Sequence, residues 1–336
     1  MVAKAVQLDV GVPAERSIAE WERRHALGEV PGVWPYGLDG LQAFAHTRAI
    51  DLPAPARVDR LRSRAGLGPR VERGAIGITW DENAALRMAI AKPHDPHVSG
   101  VIWLTDAAAR GRDLGRLPRM LEKCRALWVL SEAQVQPLGL LAQGVPAEYV
   151  RFGIDHRFFT EQPYPARPRV VSVGGDRDRD TDTLFRAMSL IQRRRPDVEL
   201  LVQTTSEIQP PAGVRKVRHI PHLELRDLYA SASVVAIATR PNLHVSGMTV
   251  SLESMATGRP VVATRTPGMD DYVAHGDTGL LSEPGDPDAL AAHVLELLED
   301  PERAREMGRF ARRTVETRFT SEQMTAAIYD IVQRFS

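Results

Sequence analysis

The sequence predicts an α/β protein of two doubly wound domains, on three observations. Short apolar, β-branched runs alternate with helical patterns along most of the chain, as in the βα units of a parallel sheet. The alternation stops after Val150 at RFGIDHRFFTEQPYPARP, which has no periodicity and carries Pro163, Pro165 and Pro168. The length, 336 residues, is that of about two ordinary domains. The expected division is a first domain over residues 1–155, a connector over 156–168, a second domain over 169–318 and a final helix over 319–336.

The first 70 residues are the hardest to read. VPGVWPYGLDGLQAFAHTRAIDLPAPARVDRLRSR mixes turn residues with a short helical pattern over 38–45, and no glycine-rich first strand-to-helix turn stands out. Residues 75–80 (AIGITW) read as a strand, followed by Asp81 and a helix over 83–91. Strands follow over 101–104 and 126–130, and Ser131 suits the N-cap of a helix that ends at Gly144. In the second half, strands over 170–173, 199–203, 217–220, 234–238 and 260–263 alternate with helices over 181–192, 223–231, 249–257 and 287–298. Ligands of such folds bind outside the carboxyl ends of the strands, near the topological switch point.

Composition excludes several classes. Basic and acidic residues balance at 43 each, so nothing draws the whole chain to nucleic acid or an anionic membrane, and no nucleic-acid partner is expected. At 43% hydrophobic and 26% charged, the chain is neither disordered nor collagen-like. Only four basic residues are lysines, a bias from which no function follows. The lone Cys124 cannot form an intrachain disulfide, and no Cys and His cluster has zinc-site spacing. The start lacks a signal-peptide core and no apolar run nears the ~20 residues that span a bilayer, so a cytoplasmic location is expected.

The sharpest motif is HVSGMTVSLESMATGRPVVATRTPG, His244 to Gly268. Small Ser246 and Gly247 let a ligand approach the backbone, Thr249 suits the cap of the next helix, and the N–H groups at its start form an anion site that fits a phosphate. Glu253, one turn further, either reaches the hydroxyls of a ligand lying across the helix start or faces solvent.

A second motif is VSVGGDRDRDTDTL, residues 171–184. A strand ending in Gly174 and Gly175, then Arg177 and Arg179, sets guanidinium groups beside flexible backbone, which can grip a diphosphate and stabilise its charge as it leaves. The other reading is a solvated loop in which Asp176, Asp178 and Asp180 neutralise the arginines. No GxGxxG follows the strand, against a nicotinamide dinucleotide.

Weaker candidates lie in the first domain. WLTD, Trp103 to Asp106, closes one strand, Asp81 and Glu82 end another, and His94 and His97 stand in the PHDPH loop; each also reads as a helix cap. Arg110 to Arg125 holds six basic and two acidic residues, a solvated helix face that also offers a weak contact to a phosphorylated acceptor or a membrane surface.

These motifs resemble the glycosyltransferase family 4 group, retaining enzymes of the GT-B fold, in which two Rossmann-like domains face a central cleft. ESMATGRPVVA (Glu253 to Ala263) matches the second half of that family's motif of two glutamates with seven residues between them. CRALWVLSEAQ (from Cys124), VRFGIDHRFF (from Val150), VRHIPHLELRDLYASASVVAIATR (from Val217) and YVAHGDTGLLSEPGDPDALA (from Tyr272) match further family motifs in order.

The resemblance implies that Glu253 binds the ribose hydroxyls of a nucleotide sugar, and that the backbone of Gly247, Met248 and Thr249 holds its distal phosphate and sugar. Arg179 falls where the family has lysine in its phosphate loop, with Arg177 as a further cation, and Gly175 stands where arginine is frequent; Arg240 is the next candidate for the diphosphate should Arg179 not hold it. Asp106 matches a family His-Asp pair, with Thr105 at the histidine position. The departure is Val245 in place of the first glutamate, which leaves neighbouring His244 as the candidate for donor-sugar recognition. Arg179, Glu253 and Asp106 are thus the expected catalytic residues.

The expected activity is transfer of a hexose from a nucleoside diphosphate sugar to a small-molecule, glycan or lipid-linked acceptor bound mainly by the first domain, with retention of configuration. The sugar nucleotide is a co-substrate and no further cofactor or metal is implied, because arginine and a helix dipole stand at the diphosphate. The final helix is expected to cross back onto the first domain. Two rivals remain: a nucleotide-sugar epimerase of the same fold, and a non-catalytic sugar-nucleotide binding module suggested by the missing glutamate.

Overall fold

The computed structural model describes residues 6–54 and 74–335. It separates into two compact units, Met1–Arg151 with Ser321–Ser336, and Phe152–Thr320. The expected connector over 156–168 therefore belongs to the second unit, and the helix that ends the chain, Ser321–Phe335, belongs to the first. The part of the hard-to-read opening stretch from residue 55 onward lies outside the described residues.

In the first unit, β1 (Gln7–Pro13) runs through a 3-10 turn into α1 (Ile18–Ala26). After it come β2 (His46–Leu52), β3 (Ile76–Thr79), α2 (Glu82–Ala91), β4 (His97–Gly100), α3 (Leu104–Ala109), α4 (Leu117–Leu121), β5 (Ala126–Val129), α5 (Val135–Leu141) and β6 (Ala147–Tyr149). The strands form one parallel sheet in the order β2-β1-β3-β4-β5-β6, with Leu8 opposite both Thr47 and Ile76. The chain leaves β1 in one direction to reach β2 and in the other to reach β3, so the switch point lies between β1 and β3. Every residue of β3, β4 and β5 is buried; β3 and β5 read as short, mainly apolar runs rather than alternating patterns, whereas β4 (HVSG) carries no such run. Leu121, Leu127, Val129 and Leu138 form part of the core on one face.

The second unit contains β7 (Arg169–Val173), α6 (Thr181–Arg194), β8 (Glu199–Gln203), β9 (Val214–Val217), α7 (His222–Ser231), β10 (Val234–Ile237), α8 (Met248–Ala256), β11 (Val261–Thr264), β12 (Gly279–Ser282), α9 (Pro287–Glu299) and α10 (Pro301–Arg318). Its sheet is also parallel, in the order β12-β11-β10-β7-β8-β9, with Val170 opposite Val234. The switch point lies between β7 and β10. α6 presents Leu184, Phe185, Met188 and Ile191 to a core shared with Val170, Leu200 and Val234. Asp180 caps α6 by accepting from the Thr183 N–H at 3.1 Å.

Five expectations change. The strand expected over 101–104 is β4, His97–Gly100, because the Glu82 carboxylate takes the N–H groups of Ile102 (2.9 Å) and Trp103 (3.0 Å) and ends the ladder there. WLTD consequently opens α3 rather than closing a strand, and His97 lies in a strand rather than a loop. The strand expected over 217–220 is β9, which the Gly213 turn (φ +83°) starts at Val214. Arg110 to Arg125 is not one helix face: α3 ends at Ala109, a turn with Gly111 and Gly115 at positive φ follows, and α4 is short. Among the described residues, no helix is long and apolar enough to cross a membrane.

Candidate functional site

The two motifs of the second unit meet at its switch point. β7 ends at Val173 and β10 at Ile237, and the segments beyond them are tied by backbone bonds from Asp180 N–H to Ala238 O (3.0 Å) and from Arg240 N–H to Asp178 O (2.8 Å). The Arg179 side chain folds back over Gly174, whose φ of +152° and lack of Cβ leave room for the guanidinium. A Cβ on Gly247 would stand 3.2 Å from Arg179 Nη1. Arg179 thus lies between the two glycines that the sequence singled out separately.

Arg179 Nη2 donates to Val173 O at 2.8 Å. Its Nε and Nη1 are buried and have no partner among the described residues. Burial pushes the guanidinium pKa down from its ordinary value, opposed by the fields of Asp176, Tyr229 and Glu253. A buried cation with idle donors calls for an anion. Arg177 and Gly175 are exposed on the same loop. Arg240 directs Nη2 to the Arg179 carbonyl at 2.9 Å and buttresses that loop.

The start of α8 supplies a second anion-attracting element. Its N-cap is Gly247, left-handed at φ +101°, and not Thr249, which is already inside the helix. The reason is local: Val245, at φ +53°, and Gly247 turn the chain so sharply that helix begins one residue earlier. Met248 N–H is used within the turn, bonding Val245 O at 3.0 Å, and the first full helical turn closes from Ser251 N–H to Gly247 O at 2.9 Å. Thr249 and Val250 N–H precede that closure, as the donors of a helix start do.

His244 and Ser246 face inward rather than outward. Ser246 Oγ donates to Asp176 Oδ1 at 2.8 Å, and His244 Nε2 lies 3.4 Å from the same oxygen, with Nδ1 3.8 Å from Asp178 Oδ2. The His244 side chain is 4% exposed. Burial raises the Asp176 pKa, but the bonds from His244, the Asp178 N–H and Ser246 outweigh it and hold the carboxyl below its ordinary range. Asp176 therefore latches the β7 loop to the α8 loop, and Asp180 caps a helix; neither merely neutralises a neighbouring arginine.

Glu253 is buried, not solvent-facing. Its Oε2 accepts from the Tyr229 hydroxyl at 2.9 Å, across 24 residues of sequence. Burial pushes its pKa up to about 7, against the Tyr229 bond and the Arg179 charge, which pull it down.

In the first unit, Asp106 is buried in the first turn of α3, with Arg110 Nη2 3.7 Å from Oδ1. Thr105 Oγ1 accepts from Gln134 Nε2 at 2.9 Å. Asp81 caps α2 through the Asn83 and Ala84 N–H groups, and Glu82 tethers 102–103. His97 is buried, 2.8 Å from Thr79 Oγ1, and burial drives its pKa down to about 4; His94 is exposed. The six basic residues between Arg110 and Arg125 are all exposed.

The switch point of the first unit carries residues that the sequence did not single out. Beyond β1 stands Arg16, beyond β3 stands Trp80, and Tyr36 stacks on Trp80 with ring centroids 4.2 Å apart. The Arg16 guanidinium lies over the Tyr36 ring at 4.9 Å. Tyr36 is left-handed at φ +64°, so residues 35–43 are a kinked 3-10 stretch and not the expected helix. That unusual φ at a non-glycine residue has no sequence signature.

Two cavities of the second unit lie along α10, one beside Asp277 and Arg313 and one beside Tyr164 and Arg259, and neither contains a residue of these loops.

A family model for glycosyl transferases group 1 matches residues 167–300, the stretch that holds both motifs. The fold is that of GT-B glycosyltransferases: sucrose-phosphate synthase from Thermosynechococcus elongatus superposes over 98% of both chains with a TM-score of 0.71 at 18% identity. Anabaena HepE, solved in complex with UDP-glucose, matches 98% of this chain and all of its own with a TM-score of 0.69 at 14% identity. In sequence, the GDP-mannose-dependent α-(1-6)-phosphatidylinositol monomannoside mannosyltransferase of Mycolicibacterium smegmatis is 37% identical over 298 residues, 80% of this chain and 78% of that protein. Another relative, from Bacillus anthracis, is matched over only 23% of its length. The chain belongs to the group 1, family 4-like glycosyltransferases.

Proposed function

We propose that the chain transfers a hexose from a nucleoside diphosphate sugar to an acceptor hydroxyl with retention of anomeric configuration, the second unit binding the donor. The observation that carries this reading is Arg179: a buried guanidinium beside the start of α8, with two nitrogens unpartnered among the described residues. A diphosphate satisfies both elements at once. Glu253 then accepts from the ribose hydroxyls, and the backbone of Gly247 and Thr249 holds the distal phosphate and sugar. Arg179 stabilises the charge that develops as the bond from the anomeric carbon to phosphate oxygen breaks. The acceptor oxygen bonds that carbon from the same face and its proton passes to the leaving diphosphate, so no protein nucleophile takes part. Fixed positive charge from Arg179 and the helix makes a metal unnecessary for this step.

The acceptor is assigned to the first unit, at the switch point where Arg16, Tyr36 and Trp80 are held, with Asp106 as the other candidate for its hydroxyl. Relatives supply the first donors to try, GDP-mannose and UDP-glucose. Product analysis by NMR tests the proposal: a new glycosidic bond of the donor's anomeric configuration supports it. Epimerised donor formed without acceptor identifies an epimerase, and binding without turnover on the whole panel identifies a binding module.

A further inference from the structure

Two oxygens of one buried carboxylate have different fates. Glu253 Oε2 is taken by the Tyr229 hydroxyl at 2.9 Å, while Oε1 has no partner among the described residues. Tyr229 itself is completely buried in α7. The terminal torsion of a glutamate is broad, so without a second anchor the carboxylate samples many orientations. We propose that Tyr229 is a positioning residue, whose hydroxyl fixes the Glu253 carboxylate so that Oε1 is presented to the ribose diol. The proposal rests on the reading of Glu253 as the ribose ligand.

The same bond acts on ionisation. The titratable and charged groups that face Glu253 are Tyr229 from α7 and Arg179 from the loop after β7, and both favour its charged form against burial. With its hydroxyl removed, burial opposed by Arg179 alone leaves the carboxyl more readily protonated at neutral pH, and a protonated acid is a poorer acceptor for two hydroxyls. Orientation and charge are thus set from one atom. Were Tyr229 only a packing residue, edge-on to Phe159 at 6.2 Å, phenylalanine would serve as well.

Calorimetric titration with UDP, GDP and ADP, from pH 6 to 9, of the wild type, Y229F, E253Q and the double variant tests this. For the nucleotide that binds, Y229F weakens affinity about tenfold at pH 7, the scale of a hydrogen bond to a charged group. The loss narrows toward pH 9 as the carboxyl ionises, and pyrophosphate, which has no ribose, binds as in the wild type. In the E253Q background the added Y229F change costs less than about twofold, since the charge that Tyr229 holds in place is gone and the amide is already a weak acceptor for the diol. Wild-type affinity and pH profile in Y229F overturn the proposal, as does an equal loss in both backgrounds. Unchanged affinity in E253Q instead overturns the ribose reading. If Y229F alone does not fold, a loss beyond about twofold between E253Q and the double variant still overturns the proposal, because it is incompatible with action through Glu253.

Discussion

The guanidinium of Arg179 occupies the space that a side chain on Gly174 would need. The two residues are therefore one device: the glycine exists so that the arginine can fold back across the end of β7 toward Gly247. Arg179→Ala is expected to lower turnover by ~10²-fold, the effect of removing a fixed stabiliser of transition-state charge. The ligand-free variant should melt no lower than wild type, because it loses a buried cation with two idle nitrogens. Gly174→Ala should reproduce the loss of turnover by displacing the guanidinium. Steady-state rates and thermal melts of both variants check this; full turnover in either contradicts it.

Glu253 gives a pH signature of its own. Its native pKa, about 7, lies above the ordinary 4.5, so between these values the native state binds a proton that the unfolded state has released. Stability of the ligand-free protein must fall as pH rises through that window, by up to on the order of 3 kcal/mol from this one group. Glu253→Gln should flatten this part of the curve. Denaturant midpoints at pH 5 and pH 8 measure it, and parallel curves for the two proteins would remove Glu253 from the cause.

Asp176 works in the opposite sense. Its native pKa is held below the ordinary value, so its bonds stabilise the fold above about pH 4 and are lost as pH falls through the native value. Asp176→Asn should melt lower than wild type at pH 7, with the difference beginning to narrow only as pH falls below about 4. His244→Ala, which removes one of three partners of that oxygen, should show a smaller difference and an altered preference among donor sugars, with bare-nucleotide affinity within about twofold. Melts across pH and a competition assay between two donors read both quantities.

The acceptor assignment predicts a separation of parameters. Arg16→Ala, or Tyr36→Ala, which removes the ring beneath the guanidinium, should raise the acceptor KM several-fold, the scale of a cation held over an aromatic face. Donor affinity, measured without acceptor, should not change. A rise in donor Kd with an unaltered acceptor KM would move the residue out of the acceptor site.

Much of the second unit was readable in the chain. β8 and the starts of α6 and α9 fall at the expected residues, because buried parallel strands are uninterrupted apolar runs and caps such as Asp180 and Asp286 act within three residues. The two glycine-bearing loops singled out in the sequence are the ones that the structure brings together beyond β7 and β10. In the first unit β1 and β2 escaped notice, since QLDVGVP and HTRAIDL interleave polar residues such as Asp9 and Arg48, which pair with each other, Asp9 also with the buried Lys92.

The sequence by itself determined the class of fold, the βα rhythm and the small residues at the ends of β7 and β10, because these depend on interactions between near neighbours along the chain. Only the tertiary structure decided which charges are buried and with whom. Parallel pairing places β7 beside β10 across some 60 residues of sequence, and that pairing closes the Gly174 loop on the Gly247 turn, draws His244 inward to Asp176, leaves two nitrogens of Arg179 without partners and sets Tyr229 on Glu253. Desolvation then does the rest: a carboxylate and a guanidinium that would be ordinary in water acquire shifted ionisation and idle hydrogen-bonding capacity when the sheet takes the water away.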